Sequence, residues 1–182
     1  MEGHNCLAYG DSSHAEGIGN NATGKVSHAG GQNTEAVGDY AFAHGYNTKA
    51  NNTYSVAFGL NNTSDGLYST SFGRDNVASA VYSTSFGRDN VASAAYSISA
   101  GQDCVAQGSR GIVVGRGLIT NNDCESAFGK YNNSVENTVF SVGIGSKAAS
   151  PKNAFEIDID GNIYILMNGE RYKLQDLLAK LI

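Results

Sequence analysis

The sequence predicts an all-β protein: a parallel β-solenoid of ten 14-residue coils, closed by a C-terminal β-hairpin and a short helix. Three observations lead there. Residues 68–80 read YSTSFGRDNVASA, and residues 82–94 repeat the same thirteen letters. Glycine stands at 3, 17, 31, 45, 59, 73, 87, 101, 115, 129 and 143, a fourteen-residue period without a gap. Within each period small and bulky residues alternate, for example Tyr68-Ser69-Thr70-Ser71-Phe72. So short a period implies stacked units that bury their faces only against one another. The units 4–17 through 130–143 define a shaft over residues 4–143, with 144–167 a connector and hairpin and 168–182 a helix.

With the recurrent glycine as position fourteen of each coil, position twelve is always small or slim: Ala15, Ala29, Ala43, Ala57, Ser71, Ser85, Ser99, Val113, Ala127 and Ser141. Position ten is mostly serine, while positions nine, eleven and thirteen carry the bulk. That period of two, with β-branched and aromatic residues, predicts a strand over positions nine to thirteen. Earlier in the coil, position five is again small (Ala8, Ala22, Ala36, Ala50, Ser64, Ala78, Ala92, Ala106), between more polar neighbours such as Glu35, Lys49, Asn51 and Asp65. A second strand of about five residues is expected there, its small side facing the first strand across a flat interior. The glycines suit a left-handed turn and close stacking of coils. Asn33, Asn47, Asn61, Asn62, Asn76 and Asn90 read as residues of the same turn, where asparagine tolerates left-handed backbone. Triplets such as Asn61-Asn62-Thr63 are therefore turns rather than glycosylation acceptors.

A ribbon lined by Ala, Ser and Gly buries little apolar area, yet the chain is 41% hydrophobic. The bulk must point outward, as Phe42, Val56, Phe58, Phe72, Phe86, Ile98, Ile112, Val114, Phe128, Phe140 and Val142 on the strand that ends at glycine. An exposed stripe of that length marks an interface, and self-association along the rod is expected, with the outward face of the other strand polar and in solvent. Beyond Gly143 the period fails, since residue 157 is isoleucine. Phe155, Ile157 and Ile159 alternate with acidic residues, and Asp160-Gly161-Asn162 leads into Ile163-Tyr164-Ile165, a hairpin signal. The same segment lacks the glycine placement and closing glutamate of a calcium loop. After Asn168-Gly169, Leu174, Leu177 and Leu181 stand at a-d-a spacing, the start of a coiled coil; this spacing leaves dimer and trimer open.

Formal charge is −5 with basic residues scattered, which disfavours nucleic-acid binding. No segment reaches the length of a membrane span and no basic-then-apolar leader opens the chain, so neither membrane insertion nor a cleaved signal is expected. Cys6, Cys104 and Cys124 read as free thiols; Cys6 and Cys104 share position three but lie seven coils apart, roughly 34 Å at strand spacing. No cofactor is implied. Asp11, Ser12, Ser13 and His14 do not form a nucleophilic triad, because neighbours on a strand point to opposite faces. Gly24-Lys25 and Gly129-Lys130 lack the remainder of a phosphate loop.

Ser-His-Ala-Glu-Gly at 13–17, Ser-His-Ala-Gly-Gly at 27–31 and Ser-Val-Ala-Phe-Gly at 55–59 resemble the head repeats of YadA-like trimeric autotransporter adhesins. The first variant is similar to repeats in bacteriophage tail and fibre proteins, as is Asn-Ala-Phe-Glu-Ile-Asp-Ile-Asp-Gly-Asn-Ile-Tyr at 153–164. The resemblance implies a left-handed β-roll and a homotrimer. It further implies a structural, non-enzymatic fibre on a virion, with other virion proteins at one end and a host glycan or receptor as partner. A bacterial surface adhesin head is the first alternative. A glycan depolymerase is the second; it requires paired carboxylates in a groove, whereas Asp75, Asp89 and Glu35 recur as turn or surface residues. In a trimer, His14 and His28 would stack at position eleven as a candidate axial ion site, with Glu16 and His44 on the same face, or would simply mark a wet end of the axis. Tyr40, Tyr54, Tyr68, Tyr82 and Tyr96 share position nine as a ladder, either a surface binding strip or a stack that stabilises the roll.

Overall fold

The computed structural model describes residues 2–181. Each coil supplies one long and one short strand. Long strands such as Thr70–Arg74 and Thr84–Arg88 stack in parallel, residue i beside residue i+14: Thr70 beside Thr84, Phe72 beside Phe86, Gly73 beside Gly87. The short strands, such as Val77–Ala78 and Val91–Ala92, stack in the same register. Among the described residues the short strands make a nine-stranded sheet, and the long ones belong to a fourteen-stranded sheet that continues into the C-terminal module.

The period and the inward positions are as expected, but the strands are placed differently. The long strand covers positions eleven to fourteen and the first residue of the next coil, while the second strand has two residues instead of five. Position nine lies in the preceding turn: Tyr40, Tyr54, Tyr68, Tyr82 and Tyr96 all have φ between 56° and 60°. That turn is closed by position ten, where the buried Ser83 donates its N–H to Ala80 O at 3.1 Å and its hydroxyl to the same oxygen at 2.7 Å. The glycines sit inside the long strand, not in a turn. Gly73 has φ +117°, and a Cβ there would overlap the carbonyl oxygen of Gly87 in the next coil.

Between the sheets the core is thin and largely polar. Position twelve is fully buried from Ala15 to Ser141, and Ser71 Oγ meets Ser64 Oγ across the roll at 2.6 Å. Two facing hydroxyls span the interior, so mostly methyl and hydroxyl groups fit there, with Val113 and Thr120 the bulkier exceptions near the C-terminal end. Position three fills the end of the roll, and here the sequence reading needs correction. Asn61 is a left-handed turn residue, but Asn62, Asn76 and Asn90 turn inward with no exposed surface. Asn76 Nδ2 donates to Phe72 O (3.1 Å) and Gly87 O (2.8 Å), while its Oδ1 accepts the Asn90 N–H at 3.1 Å. Asn62 and Asn90 repeat the pattern, and Asn20 opens it by receiving the Thr34 N–H at 2.8 Å. These amides satisfy backbone groups that the left-handed glycine leaves out of the ladder.

The roll ends by imitation. The tenth coil has no second strand; instead Asn153 donates Nδ2 to Asn133 O (2.6 Å) and accepts the Asn133 N–H (2.8 Å), as the backbone of a further coil would. Strand Asn153–Asp158 then runs antiparallel to Thr138–Ile144 and pairs with Ile163–Met167, the expected hairpin. Asp158 accepts from Asp160 N, Asn162 N, Asn162 Nδ2 and Tyr164 Oη at 2.8–3.1 Å, so its carboxylate organises the hairpin turn. Those hydrogen bonds, chiefly that from the Asn162 side chain, hold its pKa below the ordinary value. A third strand, Glu170–Lys173, was not anticipated: Asn168 (φ 53°) and Gly169 (φ 86°) make a tight two-residue turn that returns the chain antiparallel to Ile163–Met167. It takes residues the sequence assigned to the helix, which is reduced to Leu174–Leu178. Leu174 and Leu177 are half-buried on this helix, and Leu181 lies beyond it and is exposed.

Candidate functional site

The outer face of the long-strand sheet carries the bulk that the interior excludes. Phe42, Phe58, Phe72, Phe86, Ile98, Val114 and Phe128 are exposed by 37–53%. Parallel register stacks their rings, with Phe58–Phe72 centroids 5.0 Å apart and Phe72–Phe86 5.9 Å. At the N-terminal end histidine continues the row: His28 stacks on Phe42 at 4.9 Å and His44 on Phe58 at 5.7 Å. Ile112 is half-buried, as is Phe140, whose ring meets Phe155 of the same chain edge-on at 6.2 Å. The C-terminal strand therefore extends the row of rings at one end of the stripe.

The short-strand sheet is less polar outside than its sequence suggested. Glu35 and Lys49 pair at 3.3 Å, but the same position then becomes Thr63, Val77, Val91, Val105 and Ile119, of which Ile119 is 40% exposed. Position six stays polar along the same coils, with Asn51, Asp65, Ser79 and Ser93, while position four turns apolar.

The tyrosine ladder is formed, with centroids 4.8–5.0 Å apart and ring planes within 4–11° of parallel. Arg110 sits over the last ring, 5.9 Å from the Tyr96 centroid. Ring faces are thus occupied by neighbouring rings, leaving edges and hydroxyls to solvent. This geometry favours mutual stacking over stacking on a sugar, which requires a free face.

His14 and His28 meet edge to face, with centroids 5.1 Å apart. The closer constellation joins three coils: Glu16 Oε1 lies 3.8 Å from His28 Nε2, and one donor atom each of Glu16, His28 and His44 lie within 4.8 Å of one another. The pKa of His28 is lowered, first by burial and then by the neighbouring His14, against the opposing pull of Glu16. Residues on adjacent rungs meet here because positions eleven and thirteen lie on one face, a diagonal relation that residue spacing within a single strand does not reveal.

Cys6 and Cys104 are buried and Cys124 exposed; all three are free thiols. Burial raises the pKa of the Cys104 thiol. Among the described residues no helix is long and apolar enough to cross a membrane.

Four overlapping stretches, 36–62, 50–76, 64–90 and 78–103, match the YadA head domain repeat (2 copies). Their starts are fourteen residues apart, in phase with the rungs. No curated protein matches the chain. The repeat match and the stacked parallel coils agree on one architecture: a parallel β-roll whose coils over 36–103 are similar to the YadA head repeat.

Proposed function

We propose that the chain is a non-enzymatic segment of a trimeric fibre on the surface of a bacteriophage virion, where it projects or presents a host-contact surface. The observation that carries this reading is the exposed stripe from Phe42 to Phe128, which runs along a rod too thin to hide it. Ten coils at strand spacing give a shaft of roughly 48 Å. Three copies with their stripes turned to a common axis would cover the aromatic rings and leave the short-strand sheets outward. Ile112, Phe140 and the C-terminal leucines Leu174, Leu177 and Leu181 would meet their symmetry mates at the far end of the same axis. Virion placement is supported by the resemblance of the histidine-bearing coils and of segment 153–164 to phage fibre sequences.

Light scattering of the purified chain tests the assembly. With 19.0 kDa per chain, a trimer weighs about 57 kDa. The double change Phe72→Glu and Phe86→Glu places six carboxylates on the axis and is expected to yield monomers. A compact, well-folded parent monomer at micromolar concentration would refute the proposal. A second reading, the head of a bacterial surface adhesin, is favoured by the repeat family matched at 36–103. Immunogold labelling of particles and of cells separates the two. A host glycan or receptor is the proposed partner of the outer surface, and a glycan-release assay with the assembled protein is expected to show no cleavage.

A further inference from the structure

We infer that Glu16, His28 and His44 form a binding site for a divalent transition metal such as zinc, built from three successive coils of one chain. The ligands come from strands His14–Ile18, His28–Gln32 and Phe42–Tyr46. In the parallel register Glu16 lies beside Gly30, and Gly30 beside His44, so a glycine separates two ligands along position thirteen. Position thirteen is otherwise filled by Phe58, Phe72 and Phe86 in the later coils. A Cβ at Gly30 would overlap His44 Nδ1 and lie 3.0 Å from His28 Nε2. Two imidazole nitrogens therefore converge over a space that only glycine leaves open. Gly30 itself is buried beneath them.

Two imidazoles and one carboxylate are the donor set of many open zinc sites, with remaining positions left to water. Two ligands each about 2.1 Å from zinc lie at most about 4.2 Å apart. Glu16 Oε1 and His28 Nε2, at 3.8 Å, meet that limit already. The widest separation in the trio, within 4.8 Å, closes with a small rotation of a half-buried side chain. The site needs no second subunit, so it is distinct from an axial ring of His14 and His28.

Calorimetric titration of the full chain with zinc, with cobalt as a spectroscopic probe, tests the assignment. One ion per chain is expected, together with a visible cobalt ligand-field band. His28→Phe and His44→Phe place at each site the residue found at its position in a later coil, Phe42 and Phe58, so folding is expected to persist. Both should abolish uptake. Gly30→Ala retains every ligand but fills the space between them, and should weaken affinity about 10- to 100-fold. His14→Phe should leave uptake unchanged. Circular dichroism in chelator establishes that each variant is folded; should a histidine variant fail to fold, Gly30→Ala decides. The inference is overturned by absence of saturable uptake, by uptake surviving both histidine variants, or by one ion per three chains that is lost with His14. Because binding is counted per chain, a trimer without zinc overturns this site alone, and a zinc-binding monomer overturns only the assembly.

Discussion

Asn76→Ala tests whether the roll is held by its polar interior. Asn76 has no exposed surface and bonds two carbonyls, Phe72 O and Gly87 O, and one amide, the Asn90 N–H. Alanine leaves these three backbone groups without their partner in a space too narrow for ready hydration. At about 1–3 kcal/mol per stranded group, the low end of the range gives a loss of about 3 kcal/mol. That corresponds to roughly a hundredfold rise in local opening. Asn76→Thr should cost less, since Thr34 and Thr48 occupy the same position in earlier coils. Amide hydrogen exchange reads the effect directly, because the Asn90 N–H is the donor that loses its acceptor. Coils contact only their neighbours, so the Thr34 N–H, bonded to Asn20 Oδ1, should keep its parental rate. Unchanged exchange at Asn90, together with an unchanged melting temperature, would refute the claim that the amide ladder stabilises the roll.

Tyr68 separates stacking from backbone strain. Tyr68→Ala and Tyr68→Gly both remove contacts with Tyr54 and Tyr82, but only glycine relieves the left-handed φ of 57°, so the glycine variant should be more stable by about 1 kcal/mol in thermal unfolding. Asp158 sets a pH response. Its folded pKa is depressed, so its contribution is present above the ordinary value of 3.8 and is lost as pH falls through the lower folded value; NMR shifts of the Asp160 and Asn162 amides should report the loss, and Asp158→Asn should remove it. Arg171 contacts the buried Glu156 carboxylate through Nε at 2.8 Å and Nη2 at 2.7 Å, and lies 3.5 Å from the Tyr164 ring centroid. Arg171→Ala leaves Oε2 of that carboxylate without a partner, Oε1 keeping the Asn153 Nδ2 donor at 2.6 Å, and should destabilise the C-terminal hairpins by roughly 1–3 kcal/mol in denaturant unfolding, discounted for the half-exposed guanidinium.

The repeat, its glycine and the two inward small positions were legible because each is a steric rule that holds on every rung. Strand limits were not. Tyrosine favours strands, so Tyr68 extended the alternation by two residues, whereas the turn closed by Ser69 places it in left-handed backbone that propensity disfavours. Asparagine next to glycine suggests a turn, and at Asn61 it is one; nothing in the local sequence distinguishes Asn62, which faces inward, from its neighbour. The third C-terminal strand was hidden because leucine spacing outweighed the Asn168-Gly169 turn signal. For the candidate site, the outward aromatics follow from the narrow interior, and the nearness of Glu16 and His44 to His28 follows from register once strand limits are fixed. The open space over Gly30 is visible only in three dimensions.

A register in which every residue sits beside its fourteenth successor makes length a quantity that can be changed in whole steps. Inserting or removing one such step leaves both termini facing the same chemical surroundings, because an interior rung meets only the rungs above and below. Copied runs 68–80 and 82–94 look like one step already taken. Reach could therefore be tuned in increments of about 4.8 Å without redesigning whatever is attached at either end.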